Sequence, residues 1–172
     1  MNIIKSILLL LLVLVSYSVF SQSPLEYMKS GILKCVEKDY IGAIKDYTKA
    51  IELNPRMAYA YSRRGLTKYM LQDYYGAISD YGKSLEINPN EVEVYYLRGH
   101  AKFLLKENEE AILDLNTAIK LDSIYIDAYY VRGIIRITFL KQKEGGCLDL
   151  SKAGELGKEE AYEAIKRFCQ EY

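Results

Sequence analysis

Small and apolar residues recur three and four positions apart along this chain, and the pattern then returns every 34 residues, marked by Gly31, Gly65, Gly99 and Gly133 and by Tyr27, Tyr61, Tyr95 and Tyr129. Ala58 to Leu71 sets Tyr61, Gly65 and Tyr69 on one stripe, and the next stretch does the same with Ala77, Ile78, Tyr81, Ser84 and Leu85. Such spacing predicts amphipathic helices. Ala43, Ile44, Tyr47, Ala50 and Ile51 repeat the second stripe upstream, and Ala111, Ile112, Leu115, Ala118 and Ile119 repeat it downstream. Each unit therefore reads as two helices, with units at 24–57, 58–91, 92–125 and 126–160. Lys38-Asp39, Gln72-Asp73 and Glu107-Asn108 separate the halves, where aspartate or asparagine starts a helix by accepting backbone N–H bonds. Asn54-Pro55 and Asn88-Pro89 end units, because the residue before a proline is driven out of the helical region. Asp122-Ser123 does so more weakly. Short turns make antiparallel hairpins, which must stack side by side.

Glycine at the eighth place of a unit and alanine at the twentieth leave room for two closely crossing helices. Unit four departs from the pattern: Arg132-Gly133 to Asp149 is one residue longer than Arg98-Gly99 to Asp114, and Gly145-Gly146-Cys147 stands where unit three has Glu110-Ala111-Ile112. Glu159 to Glu171 reads as a last helix, with Ala161, Ile165 and Phe168 on one side and Glu160, Glu163, Lys166 and Arg167 on the other. An end repeat leaves an apolar face that such a helix covers, so 161–172 is taken as a capping segment.

Met1 to Ser21 has the form of a secretory leader: Lys5 near the start, the apolar run Ile7 to Val15, and the exit Val19-Phe20-Ser21. Cleavage is expected between Ser21 and Gln22. Ile7 to Phe20 is shorter than the roughly 20 residues that span a bilayer, so no integral membrane segment is expected after processing. This places the chain outside the cytoplasm, in a periplasm or secreted.

Composition narrows the function classes. Basic and acidic residues balance at 23 each, so the electrostatic footprint of a nucleic-acid binder is missing. Seventeen tyrosines and no tryptophan mean an aromatic surface that tolerates half-burial. His100 is the sole histidine, which leaves little for zinc clusters or histidine-based triads. No phosphate loop or nucleophile elbow is present. No cofactor, metal site or catalytic residue is expected, and the chain is not expected to be an enzyme.

The recurring aromatic, glycine, alanine and proline places, filled by Tyr61, Gly65, Ala77, Tyr81, Ser84 and Pro89 in unit two and by Tyr27, Gly31, Ala43, Tyr47, Ala50 and Pro55 in unit one, resemble the tetratricopeptide repeat family. The resemblance implies an all-α, right-handed α-solenoid of about four helix-turn-helix hairpins plus a C-terminal capping helix. It also implies a concave face lined by each unit's first helix. On this chain those places hold Tyr59, Ser62, Arg63, Leu66 and Tyr69, then Glu93, Tyr96, Leu97, His100 and Phe103, then Asp127, Tyr130, Val131 and Ile134. Leu66, Phe103 and Ile134 read equally as packing between units, while Tyr59, Tyr96 and Tyr130 are expected to be the apolar anchors for a partner. Some family members clamp acidic peptide tails with lysine, asparagine and arginine. Ile32, Arg63, Glu93 and Leu97 occupy the matching region, so that clamp is not reproduced.

Arg64, Arg98 and Arg132 sit at the seventh place, and Asp46, Asp80, Asp114 and Asp149 at the twenty-third. A ladder of ion pairs is the structural reading, worth only about 0.2 to 1 kcal/mol per pair if exposed; an anion-binding row is the functional one. Cys147 and Cys169 could meet as a disulfide across the cap or remain buried thiols, with Cys35 unpaired either way. The expected function is a non-catalytic scaffold or adaptor holding a protein or peptide segment in a tyrosine-rich groove. A self-associating structural component of an envelope assembly, hence a homo-oligomer, is the alternative.

Overall fold

Four helical hairpins and a closing helix make up the computed structural model, which describes residues 23–169; the expected leader, its Ser21–Gln22 processing site and residues 170–172 lie outside the described residues. The hairpins pair α1 (Pro24–Val36) with α2 (Tyr40–Leu53), α3 (Ala58–Met70) with α4 (Tyr74–Ile87), α5 (Val92–Leu104) with α6 (Asn108–Leu121), and α7 (Ile126–Thr138) with α8 (Lys143–Glu155). Helix α9 (Glu159–Phe168) packs on α8 and touches α7. Each hairpin also packs on the next, through α2 on α3, α4 on α5 and α6 on α7. The fold is an all-α solenoid.

Local chemistry sets the helix ends. Asp39 and Asp73 accept the backbone N–H groups of Gly42 and Gly76 at 2.9 Å, as N-caps do. A side chain at either glycine would collide with that carboxylate. In unit three Glu110 fills this place, Glu107 stands at the cap position without a side-chain cap bond, and Asn108 is the first residue of the helix rather than its cap. The turns preceding the second helices reuse one conformation: Lys38, Gln72, Lys106 and Lys141 have φ of 63°, 62°, 65° and 54°. Between units, the side chains of Asn54, Asn88 and Asp122 accept backbone N–H bonds from Arg56, Asn90 and Ile124. Asp122 thus makes the same turn without a following proline.

Unit four absorbs its extra residue in the turn between α7 and α8. Beyond that turn Gly146 takes the place alanine holds elsewhere, and a Cβ there would lie 2.8 Å from the Gly133 carbonyl oxygen. Gly146 therefore permits the close approach of α8 to α7, while a side chain at Gly145 would meet only ordinary contacts. At the far end, Lys158 caps α9 in extended conformation after Gly157 at φ 105°. Helix α9 accordingly begins at Glu159, where the amphipathic pattern of the sequence starts.

The charged ladder is buried, not exposed. Arg64 donates to both oxygens of Asp80 at 2.9 and 2.7 Å, and Lys68 joins at 2.8 Å. The same fork sets Arg98 and Lys102 on Asp114, and Arg132 and Arg136 on Asp149. In unit one Ser30 and Lys34 hold Asp46. The other side of each arginine lies over a tyrosine of its own helix, Tyr61, Tyr95 or Tyr129, at 5.7, 5.6 and 5.4 Å. Arg64 and Arg132 also reach back to Thr48 and Asn116 of the preceding unit. Their donors are committed internally, so the structure favours the ladder over an anion-binding row. The sulfurs of Cys147 on α8 and Cys169 after α9 are bonded, which ties the end of the closing helix to the last hairpin.

Candidate partner-binding groove

The first helices line up along the stack, and between them lie depressions rather than filled core. One, of about 30 Å³, gathers Tyr59, Ser62, Arg63, Glu93 and Leu97, together with Leu66, Glu91 and Val94. A second, of about 670 Å³, gathers His100, Phe103, Tyr130, Val131 and Ile134 against Glu160, Glu163, Ala164, Arg167 and Phe168 of α9. A third, of about 280 Å³, lies toward the amino terminus between Ile32, Val36, Tyr59, Leu66 and Met70, with Cys35 and Tyr47 in its wall.

The three anchor tyrosines differ in environment. Tyr59 is 48 % exposed, its ring under the Arg63 guanidinium at 4.6 Å. Ser62 turns its hydroxyl onto the Tyr59 carbonyl oxygen at 3.1 Å. Tyr130 is half-buried and carries the Lys158 ammonium 5.5 Å above its ring. Tyr96 instead packs between Tyr125 at 5.3 Å and His100 at 5.9 Å, and burial pushes its hydroxyl well above the usual tyrosine range. Like Tyr130 it is half-buried, with more of its ring packed on aromatic neighbours.

His100 joins two units. The Tyr69 hydroxyl lies 2.7 Å from its Nδ1, and burial holds Tyr69 above its ordinary value, so the phenol keeps its proton. Either atom can donate in this bond, according to the imidazole tautomer. Burial also lowers the His100 pKa, partly countered by the Asp127 charge. Phe103 extends this aromatic row to Phe139. Phe103 thus serves both as packing and as cavity lining, and Leu66 and Ile134 line cavities. Asp127 is bonded to Lys158 at 2.8 Å, tying α7 to the start of the cap.

The sequence reading missed the contribution of α9. Glu160, Glu163, Arg167 and Phe168 read as a cap in the sequence, yet they form one wall of the 670 Å³ depression. The signal available was the breadth of the helix's non-aqueous side, where Ala164 sits between Ala161 and Phe168. Among the described residues no group of three or more His, Cys, Asp or Glu side chains is placed to hold a metal ion, and no helix is long and apolar enough to cross a membrane.

Residues 58–91 and 92–125 each match a model of the tetratricopeptide repeat. No curated protein sequence matches the chain. Among solved structures, a crystal structure of MamA protein is similar with a TM-score of 0.78 and 28 % identity, over 83 % of this chain and 78 % of that one. The first repeat domain of Spaghetti (RPAP3), solved bound to the HSP90 peptide SRMEEVD, is similar with a TM-score of 0.65 and 26 % identity, over 68 % and 93 %. The repeat domain of Arabidopsis OM64 follows with 0.64 and 26 %, over 66 % and 94 %.

Proposed function

Since the chain is a tetratricopeptide repeat protein and so a protein-interaction scaffold, we propose that it holds a peptide segment of a partner in the groove formed by α3, α5, α7 and α9. The observation that carries this reading is the 670 Å³ cavity, whose lining is mostly apolar and rimmed by a few charged groups. Peptide grooves are built this way. The RPAP3 domain, whose structure holds an HSP90 peptide, supports the same use of the fold. Affinity comes from covering Tyr59, Leu66, Phe103, Tyr130 and Ile134, with Arg63, Glu93 and Asp127 orienting the segment. The chain acts by binding, not catalysis.

The test is site-specific photocrosslinking in the native cell. A crosslinker at Tyr59 or Tyr130 should trap one and the same partner, while one at Leu113, exposed on the second helix of its hairpin, should not. Trapping from Leu113 alone removes the groove from the reading.

Export belongs to the same proposal. The Lys5 and Ile7 to Val15 pattern supports it, and the Cys147 to Cys169 bond suits an oxidising compartment. Amino-terminal sequencing of protein from the native host should begin at Gln22; an intact Met1 refutes export by this route. Self-association is a second reading, supported by the amino-terminal edge, where Leu33 is 63 % and Val36 77 % exposed. Sedimentation across concentrations decides it: a defined oligomer supports it, and a monomer throughout excludes it.

A further inference from the structure

Resting on the groove reading above, we infer the chemistry of the occupant: an apolar anchor flanked by lysine or arginine. The inference follows from which charges along the groove already have partners. Each cation there lies against a group of the protein itself, Lys158 through an ion pair and Arg63 and Arg167 through an aromatic ring alone. Lys158 lies 2.8 Å from Asp127 and 5.5 Å from the Tyr130 ring. The Arg63 guanidinium sits 4.6 Å over Tyr59, and that of Arg167 5.0 Å over Phe168.

The carboxylates are in the opposite condition. Glu93, in the first turn of α5, and Glu163, on the groove side of α9, have no ion pair or side-chain hydrogen bond among the described residues, although both border cavities. Glu160 has its nearest cation, Lys158, only at 3.9 Å, and that ammonium already serves Asp127. Glu160 and Glu163 therefore border an apolar floor of Phe103, Val131 and Ile134, with Arg167 beside them, and Glu93 borders the neighbouring depression. A low-dielectric floor between like charges focuses their field. A peptide placing a large aliphatic or aromatic side chain in the 670 Å³ cavity would carry its neighbouring residues to these carboxylates. Lysine or arginine there gains pairing, whereas glutamate there adds like-charge repulsion.

The sole histidine gives the experiment a built-in reporter, because the ring resonance of His100 needs no assignment and belongs to the cavity lining. Untagged protein is titrated with two acetylated, amidated peptides. One carries a leucine–phenylalanine pair flanked on each side by two lysines; the other has glutamates for the lysines. The lysine peptide is expected to shift the His100 resonance and to bind about tenfold more tightly, with the advantage shrinking in high salt as the Debye length contracts. The E93Q/E163Q variant, checked for unchanged helicity, should lose most of that preference. Equal binding of both peptides with the His100 shift would overturn the charge inference and leave the groove standing, as would tighter binding of the glutamate peptide. If neither peptide moves His100, the inference and the groove reading fall together.

Discussion

Asp80→Asn removes one negative charge from a nearly closed site while keeping its shape. Asp80 is 4 % exposed at its side chain, and the two cations it holds, Arg64 and Lys68, are 17 % and 22 % exposed. The amide retains at most part of the three contacts and leaves two positive groups facing one another. Removing one partner of a buried pair costs about 3 to 5 kcal/mol. Both cations keep some access to water, and Arg64 retains Thr48 at 3.0 Å and the Tyr61 ring, so the expected loss lies near the lower bound, about 3 kcal/mol. For a chain of this size that corresponds to a drop of roughly 6 to 12 °C in Tm. Urea unfolding followed by helical circular dichroism measures it, with Glu52→Gln as the control. The Lys49–Glu52 pair is exposed on both sides and should shift stability by no more than about 0.5 kcal/mol. Replacing the whole triad by apolar residues (D80L/R64M/K68M) should recover much of the loss, since the desolvation of all three charges disappears. If Asp80→Asn costs no more than Glu52→Gln, the ladder is not a buried clamp and the reasoning fails.

Three further outcomes are expected. The His100 pKa is lowered by burial from 6.5, so the folded state binds fewer protons than the unfolded one; its stabilisation is full above that value and is lost as pH falls from it toward the lowered one. The stability difference between wild type and His100→Gln should therefore shrink on acidification below about pH 6.5, and a difference that stays constant contradicts the assignment. Gln72→Gly relieves a left-handed conformation worth roughly 1 to 2 kcal/mol against a glycine entropy cost of about 0.5 to 1 kcal/mol, so urea unfolding should show a gain of up to about 1.5 kcal/mol, and a loss would refute it. Reducing the bond across the 22-residue separation of Cys147 and Cys169 should cost about 3 kcal/mol; hydrogen exchange should show α9 losing protection first, and unchanged protection in α9 would refute the latch.

The hairpins were legible because their determinants are local or strictly periodic. Tyr61, Gly65 and Tyr69 mark a face within one helix, and Gly31 to Gly133 mark the crossing in each unit. Unit three shows the limit of such reading: Asn108 is a good cap residue, but Glu110 stands where Gly42 and Gly76 give Asp39 and Asp73 their room, and the cap bond is absent. The groove was legible as a set of places and not as a surface. Tyr59, Ser62, Arg63, Glu93 and Leu97 do gather at one depression and His100 and Tyr130 at another. What each tyrosine packs against could not be read from its place, because the fifth place meets Tyr125 and His100 at Tyr96 and Lys158 at Tyr130.

From its residues alone this chain determined the period, the helices, their turns and the existence of an arginine and aspartate row, since each of these follows from side chains within a turn or from exact recurrence. Tertiary packing decided the rest. Whether an arginine is free or held, what a tyrosine packs against, and whether a closing helix only caps or also walls a cavity all depend on groups that meet across helices. Burial and pairing are properties of that meeting: the same carboxylate is buried and held by two cations at Asp80, and left without a partner at the groove's edge at Glu163.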